Sequence, residues 1–353
     1  MMADMDISLF AGHYGQARQH FIDALDRRGV PLLDSVPCPE SGPDGEPLFT
    51  DLAWLGPREA RKVLVMQSAT HGVEGFAGSA IQCQWLRQDA NLPEGVAVLL
   101  IHSLNPWGMA WHRRCDQDGI DLNRNFVDFD QPLPNNPGYS ELRDVLFSSD
   151  PEKRRDRFTR YSLEHGREAL DVALSGGQYQ DPFGPFYGGQ QPAHANRMLH
   201  DWISRFALAQ KQLAVIDLHT GLGSFGYGEI ICDHAPGSAG VATAQRWYGN
   251  DVALPLEGTS SSVPKLGLID FAWQAIMDDN SCFVTLEFGT YTTDELFEVL
   301  LEEHRQWAAG RRSEDCVAAM RHHFCPDNRG WRAQVLQRGQ QVIDLALTGL
   351  SRS

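Results

Sequence analysis

The sequence is short of basic residues and has no long apolar run. Among its 353 residues, 46 aspartates and glutamates outnumber 30 lysines and arginines, which gives a formal net charge of −16. This balance argues against nucleic acid and anionic membrane surfaces as partners. Because no apolar run is long enough for a transmembrane helix, we predict no membrane span.

Disulfide frameworks and phosphate loops are also missing. The seven cysteines contain no C-x-x-C pair, and this usage favours reduced thiols over disulfides or a cysteine zinc site. No P-loop pattern follows an apolar run, which argues against a P-loop nucleotide-binding enzyme. The acidic start of the chain lacks a basic segment followed by an apolar one, so we expect no secretory signal and a cytoplasmic location.

Four apolar, β-branched runs predict buried strands, at 61–68, 96–103, 212–219 and 282–288. Their near-continuous apolar character is typical of a sheet covered on both faces. Helical patterns are found at 76–88, about 140–174, 196–210, 238–250 and 269–277, then from an N-cap at Thr293 to a stop at Gly310, and from Asp327 onwards. This alternation predicts an α/β fold with a largely parallel sheet.

Residues 127–195 depart from this alternation. They contain a charged helical pattern and close with a stretch rich in glycine, proline and aromatic residues at 176–192. That stretch is expected to be an ordered loop, either packed by its own rings on the surface or forming a wall or lid of a pocket. No interdomain linker is visible, so we predict one domain over residues 1–353 with an insertion at about 127–195.

Residues with ligand-type side chains follow the predicted strands. His71 and Glu74 come after the first strand, His219 ends the third, and Glu287 lies near the end of the fourth. The carboxyl ends of parallel strands converge on one crevice, so these four positions are expected to meet. Two histidines and one carboxylate, with a fourth position open, are the ligands of a catalytic zinc ion. A lone histidine at a strand end is more often structural, so the hypothesis depends on their meeting.

The turn "HGVEG" and the strand "FVTLEF" each raise a specific expectation. Gly72 and Gly75 are expected to leave room for a cation between His71 and Glu74. Glu287 has apolar neighbours, and burying an unpaired carboxylate costs on the order of several kcal/mol. It therefore either faces a cation or a catalytic water, or simply reaches solvent where the strand ends.

The segment "WHRRCDQDGIDLNRNF", at 111–126, brings arginine and amide donors together in an acidic chain. Arginine is suited to a planar, bidentate grip on a carboxylate. The cluster is therefore either a binding site for an anionic group or an internal salt-bridge hub.

Together these motifs resemble the zinc carboxypeptidase superfamily related to carboxypeptidase A. H-x-x-E, an arginine before GIDLNRNF, D-L-H and T-L-E-F occur in the family order. "HGVEG" and "DLNR" also resemble the aspartoacylase and succinylglutamate desuccinylase branch. Over nearly its whole length, the chain looks similar to a bacterial metallopeptidase-like group in this superfamily. The resemblance implies a mixed, largely parallel central sheet with helices on both faces.

The resemblance also implies a metal site. Its zinc ligands would be His71, Glu74 and His219. Asp121 would be the carboxylate that orients His71 and supports its basicity.

Substrate contacts follow from the same resemblance. Arg114, with Arg113 as the fallback, would polarise the scissile carbonyl. Asn123 and Arg124 would hold the terminal carboxylate of the substrate, and Glu287 would act as general base and then as acid. The mobile tyrosine of digestive carboxypeptidases has no counterpart in "SSSVPKLGLIDFAW", at 260–273; Tyr227 and Tyr187 are the candidates to replace it.

The implied function is zinc-dependent hydrolysis of an amide bond next to a free carboxylate, as in a metallocarboxypeptidase. The substrate would be a peptide or a small molecule. An N-acyl-amino-acid deacylase of the aspartoacylase or desuccinylase type would use nearly the same residues. A non-catalytic zinc-binding protein is the third alternative, and it would be expected to lack the base or the polarising arginine.

Overall fold

The computed structural model describes residues 5–88 and 91–352, which form a mixed sheet flanked by helices. The described strands are β1 (Leu32–Pro37), β2 (Phe49–Leu55), β3 (Lys62–Ser68), β4 (Val96–His102), β5 (Gln212–Gly221), β6 (Gly228–Ile231) and β7 (Cys282–Gly289). The described helices are α1 (Tyr14–Arg27), α2 (Gly75–Arg87), α3 (Pro106–Ala110), α4 (Pro137–Leu146), α5 (Pro151–His165), α6 (Arg167–Ser175), α7 (His194–Arg205), α8 (Ala239–Tyr248), α9 (Asp270–Gln274), α10 (Thr293–Ala308), α11 (Glu314–Phe324) and α12 (Arg329–Arg352).

The strand order is β1-β2-β4-β3-β5-β7-β6, and the four central strands are parallel to one another. The outer pairs β1–β2, β2–β4 and β6–β7 are antiparallel. The predicted α/β class with a mixed, largely parallel sheet is therefore confirmed, as are the four predicted strands. The sequence prediction missed β1, β2 and β6, which belong to these outer, antiparallel parts of the sheet.

Both faces of the sheet are covered because successive side chains of each central strand point to opposite sides. On β3, Leu64 and Met66 belong to one apolar core, whereas Val63 and Val65 belong to another. Helices α1, α2, α8 and α12 supply buried side chains to the first core, and α7 and α9 supply them to the second. This double cover explains why the strands have near-continuous apolar sequences.

Helix boundaries differ from the prediction where local breakers act. The single helix expected at about 140–174 consists of three, α4 to α6. Pro151 starts α5 after the N-cap Asp150, and Gly166, with a φ of 96°, separates α5 from α6. Helix α10 begins at Thr293, but its N-cap is Thr292, which forms a capping box with Glu295. Helices α1, α3 and α11 were not predicted.

Helices α4 to α6 and the loop after them pack beside the end of the sheet. Their buried side chains form a third apolar cluster with residues of α10 and α11, including Leu296 and Phe324. Phe186, from the glycine- and proline-rich loop, also belongs to this cluster. The 127–195 segment therefore stands next to the carboxyl ends of the central strands.

Candidate active site

The carboxyl ends of β3, β5 and β7 carry the candidate site. His71 follows β3 after a short loop, His219 lies near the end of β5, and Glu287 lies near the end of β7. In the parallel β5–β7 ladder, His219 is the direct register partner of Glu287. The parallel topology thus delivers these side chains to one crevice.

The turn after β3 presents His71 and Glu74. Glu74 ends a short 3-10 turn that leads directly into α2. Neither Gly72 nor Gly75 clears room for a cation, contrary to the expectation from sequence. A Cβ on Gly75 would lie 2.4 Å from a neighbouring side chain. A Cβ on Gly72 would lie 2.1 Å from the backbone of Gly108, so this glycine permits close packing of the turn against α3. That packing supports the two ligand side chains from behind.

Three potential metal ligands converge. Nδ1 of His71 lies 2.9 Å from Oε1 of Glu74, and Nδ1 of His219 lies 3.0 Å from Oε2 of the same carboxylate. The two Nδ1 atoms are 3.1 Å apart. Within the described part of the chain, these three residues form the one group of histidine, cysteine and acidic side chains able to hold a metal ion.

Each imidazole has a carboxylate on its far side. Nε2 of His219 is 2.6 Å from Oδ2 of Asp217. Nε2 of His71 is 3.2 Å from Oδ1 of Asp121, at ion-pair distance but outside hydrogen-bond geometry. A proton kept on each Nε2 leaves the Nδ1 lone pairs pointing at each other and at Glu74. Only a cation or an extra proton relieves that arrangement, so the donor set fits a bound metal.

The charges around the ligands also favour a cation. Burial by itself would lower the pKa of His219, but the carboxylates of Asp217 and Glu74 hold that pKa well above the ordinary value. Burial would raise the pKa of Glu74, yet the imidazoles of His71 and His219 keep it below the ordinary value. The site therefore stabilises positive charge between its ligands.

Arg114 lies beside the ligands, whereas Arg113 does not. Nε of Arg114 donates to Oδ2 of Asp121 at 2.9 Å, and Nη1 donates to Oε1 of Glu74 at 3.2 Å. Arg113 is directed away and forms a bidentate pair with Glu303, at 2.6 and 3.1 Å. Of the two alternatives from the sequence, Arg114 is the one that lines the pocket.

Asn123 and Arg124 lie on a second side of the same pocket. The side-chain oxygen of Asn123 accepts a hydrogen bond from Ile269 N at 2.8 Å. Arg124 donates to the carbonyl oxygens of Ser175 and Asn123 and, among the described residues, contacts no carboxylate within 4 Å. Its burial lowers the pKa of the guanidinium to about 10, against the opposing charge of Asp121. A buried arginine with no carboxylate in direct contact is suited to an anionic ligand.

Glu287 is a buried carboxylate that faces the pocket. It is 7% exposed, and its Oε1 accepts a hydrogen bond from Leu222 N at 3.0 Å. Burial, followed by the charge of Glu74, raises the pKa of Glu287 to about 7. A carboxyl group with that pKa takes up and releases a proton near neutral pH, as a general base and acid must.

The pocket contains about 970 Å³ of empty space, part of it open to solvent. Phe186 of the 127–195 segment lines it. The Phe186 ring centroid lies 5.1 Å from the guanidinium carbon of Arg114 and 5.6 Å from that of Arg124. The loop at 176–192 therefore forms part of a pocket wall.

Several residues of the site were not identified from the sequence. Asp217 could have been, because it lies two residues before His219 and strand alternation places both side chains on the same face. Asp233, Lys265 and Asp270 line the other end of the pocket. No local sequence pattern connects the positions of these three residues with those of the metal ligands.

Two other sequence features do not act as their patterns suggest, although Gly221 and Leu222 line the pocket. Neither Tyr227 nor Tyr187, the candidates to replace a mobile tyrosine, lines the pocket. Residues 221–226 read GLGSFG, which matches the G-x-G-x-x-G spacing of dinucleotide-binding loops, but they lead into β6. Without a helix N-terminus, this loop lacks the anion-binding part of that motif.

All seven cysteines are free thiols. In the part of the chain that the structure describes, none of the helices has the length and apolarity needed to cross a membrane.

The profile of a protein family described as "protein of unknown function (DUF2817)" matches residues 10–338 of the chain. No curated protein sequence matches the chain.

Solved structures that align with the chain include three of known type. A murein-tripeptide amidase from Escherichia coli O157 is 18% identical, with 78% of this chain and 92% of that chain covered and a TM-score of 0.37. A metallocarboxypeptidase from Pseudomonas aeruginosa is 13% identical, with 94% and 69% covered and a TM-score of 0.43. An aspartoacylase family protein from Mesorhizobium loti is 15% identical, with 80% and 71% covered and a TM-score of 0.36.

Proposed function

The chain belongs to the DUF2817 family, and we propose that it is a zinc-dependent hydrolase that cleaves an amide bond next to a free carboxylate. One observation carries this proposal. A three-residue metal site, a carboxyl group with a pKa near 7 and a buried arginine that contacts no described carboxylate within 4 Å face one pocket. Each of these has a necessary part in such a reaction, and a purely structural metal site would require neither of the last two.

The residues that would hold zinc are His71, Glu74 and His219, with Asp121 and Asp217 behind the imidazoles. When bound, zinc supplies Lewis-acid chemistry, which polarises a carbonyl and makes a water more acidic. The two rear carboxylates would favour a proton on each Nε2, so that both Nδ1 atoms remain free as ligands.

Glu287 would move the proton. Its carboxylate takes a proton from the attacking water and later delivers it to the leaving amine nitrogen, which leaves the group in its starting state. Burial and the charge of Glu74 set its pKa to about 7. Both protonation states are therefore populated near neutral pH in the metal-free protein.

Two arginines would contact different groups of the substrate. Arg114 is held by Asp121 and Glu74 at the metal side of the pocket, where its guanidinium can donate to the scissile carbonyl oxygen. Removing one such donor typically costs about 3 kcal/mol in the transition state. Arg124, with Asn123, would hold the carboxylate next to the scissile bond and so fix the orientation of that bond.

The proposal is tested by assaying the zinc-loaded protein on matched substrates. C-terminally free peptides and N-acyl amino acids are each compared with the corresponding carboxamides. We expect hydrolysis of free acids, loss of activity on chelation, and at least about tenfold slower cleavage of the amides. Cleavage of both forms at equal rates, or of neither, would refute the proposal. Preference for peptides or for N-acyl amino acids decides between a carboxypeptidase and a deacylase.

A further inference from the structure

Lys265 is a pocket cation that the proposed reaction does not use. Three arginine or lysine side chains line the pocket: Arg114, Arg124 and Lys265. Arg114 contacts two carboxylates. Lys265 donates to the hydroxyl of Ser262 and, at 3.0 Å, to the carbonyl oxygen of Val263. Across residues 5–88 and 91–352, no carboxylate lies within 4 Å of the charged nitrogens of Arg124 or Lys265.

The loop at 258–267, which we call the Lys265 loop, is fixed to the segment that carries Arg124. Gly258 and Gly267 have φ values of 70° near its two ends, a conformation that favours glycine. A Cβ on Gly267 would lie 2.3 Å from the carbonyl oxygen of Arg124, so the two backbones are in close contact. The carbonyl oxygen of Gly267 accepts a hydrogen bond from Phe126 N at 3.0 Å. The loop that presents Lys265 is therefore held directly against the backbone of Arg124.

The segment after the loop also contacts Asn123, the other residue proposed to hold the substrate carboxylate. Ile269, just after the Lys265 loop, donates its N–H to the side-chain oxygen of Asn123 at 2.8 Å. At the other end, Ser261 N donates to the carboxylate of Glu229 at 3.1 Å. Because the loop is held at both ends, the Lys265 ammonium is positioned before any ligand arrives.

Two cations at this end of the pocket act on each other. Burial, together with the charge of Arg124, lowers the pKa of Lys265 to about 8 against the opposing charges of Asp233 and Glu287. Asp233 is half-buried and accepts no hydrogen bond from a described side chain. Bringing two positive groups together costs free energy that an anion bound between them would recover.

We propose that Lys265 is a second cationic substrate-binding residue, which with Arg124 grips the carboxylate next to the scissile bond. This inference rests on the proposed function and deepens it. Lys265 stands in the stretch where the resemblance leads one to expect a mobile tyrosine. A fixed ammonium differs from a mobile phenol because it adds charge and needs no large movement to reach the ligand.

Ligand binding tests the proposal apart from turnover. L-Leucine, L-lysine and L-glutamate, each with its α-carboxamide, are titrated calorimetrically into the zinc-loaded protein. We expect the wild type to bind at least one free acid more tightly than its amide. Lys265→Met should weaken the binding of that acid by about 10- to 100-fold and leave the binding of the amide unchanged, because it removes one charge-assisted hydrogen bond. Lys265→Arg should retain the affinity within a few-fold, and Lys153→Met, at an exposed lysine of α5, is the matched control.

Kinetics separate this inference from the proposed function. In Lys265→Met, KM for a free-acid substrate should rise by about 10- to 100-fold while kcat changes little, since the lost contact is made in ground and transition states alike. A protein that hydrolyses free acids, but whose Lys265→Met variant has wild-type KM and affinity, would overturn only the role of Lys265. A wild type that neither hydrolyses nor binds any free carboxylate would overturn the proposed function as well.

Discussion

Replacing Glu287 with glutamine isolates the proton transfer proposed for this side chain. Glutamine has nearly the same shape, and its side-chain oxygen can still accept the hydrogen bond that Leu222 N donates at 3.0 Å. All three metal ligands remain in place. We therefore expect zinc binding to be retained and kcat to fall by about 10²- to 10⁴-fold, the usual contribution of general acid–base catalysis.

The same substitution should increase the free energy of unfolding of the metal-free protein. Burial, with the charge of Glu74, raises the pKa of Glu287 from 4.5 to about 7. The folded state then loses free energy as pH rises from 4.5 through 7, and a rise of this size corresponds to a loss of about 3 kcal/mol at pH 8. Glutamine does not titrate, so the variant should be more stable by about 1–3 kcal/mol at pH 8, with the difference disappearing toward pH 4.

The assay combines zinc content, steady-state kinetics and denaturant unfolding of the chelated protein from pH 4 to pH 8. Glu168→Gln, at an exposed glutamate of α6, removes the same charge away from the pocket and should change none of these quantities. Wild-type kcat in zinc-loaded Glu287→Gln would refute the role of the base. Equal stability of the two metal-free proteins at pH 8 would show that Glu287 is not destabilised by burial.

Other substitutions give separate expectations. Asp217→Asn and Asp121→Asn should each weaken zinc binding by about 10- to 100-fold, measured by competition with a chromophoric chelator, and wild-type affinity in both would contradict the orienting role. Arg114→Met should lower kcat/KM by at least about 100-fold. Arg113→Met should change kcat/KM little and destabilise the fold by about 1–3 kcal/mol, because Glu303 still pairs with Arg312; the reverse result would exchange their roles. Burial and nearby Asp233 raise the pKa of Asp270, so Asp270→Asn should increase stability progressively above pH 4, and denaturant unfolding that shows no such trend would contradict this account.

The central part of the fold was predictable because its signal is local. Strands β3, β4, β5 and β7 are buried on both faces, and continuous apolar runs are the direct consequence. Strands β1 and β6 lie at the edges, where β6 has only four residues and β1 is only partly buried. Such segments are strands because a neighbouring strand pairs with them, and the sequence of the segment itself does not show that.

The same distinction applies to the candidate site. His71, Glu74 and His219 follow or end strong strands, so the parallel topology brings them together as predicted; the chemical roles assigned to them remain predictions. Phe186 and Lys265 reach the pocket from loops whose positions depend on packing against distant segments. The expectation for Gly72 was wrong for a related reason. Because Gly72 is next to His71 in the sequence, it was expected to make room for a cation, whereas it packs against α3.

Anomalous diffraction at the zinc absorption edge, from crystals of the purified protein grown with zinc, tests the metal site most directly. The site described above predicts one peak at about 2.0–2.2 Å from Nδ1 of His71, Nδ1 of His219 and the carboxylate of Glu74. A map with no peak among these three side chains, or with its peak elsewhere in the molecule, would contradict it.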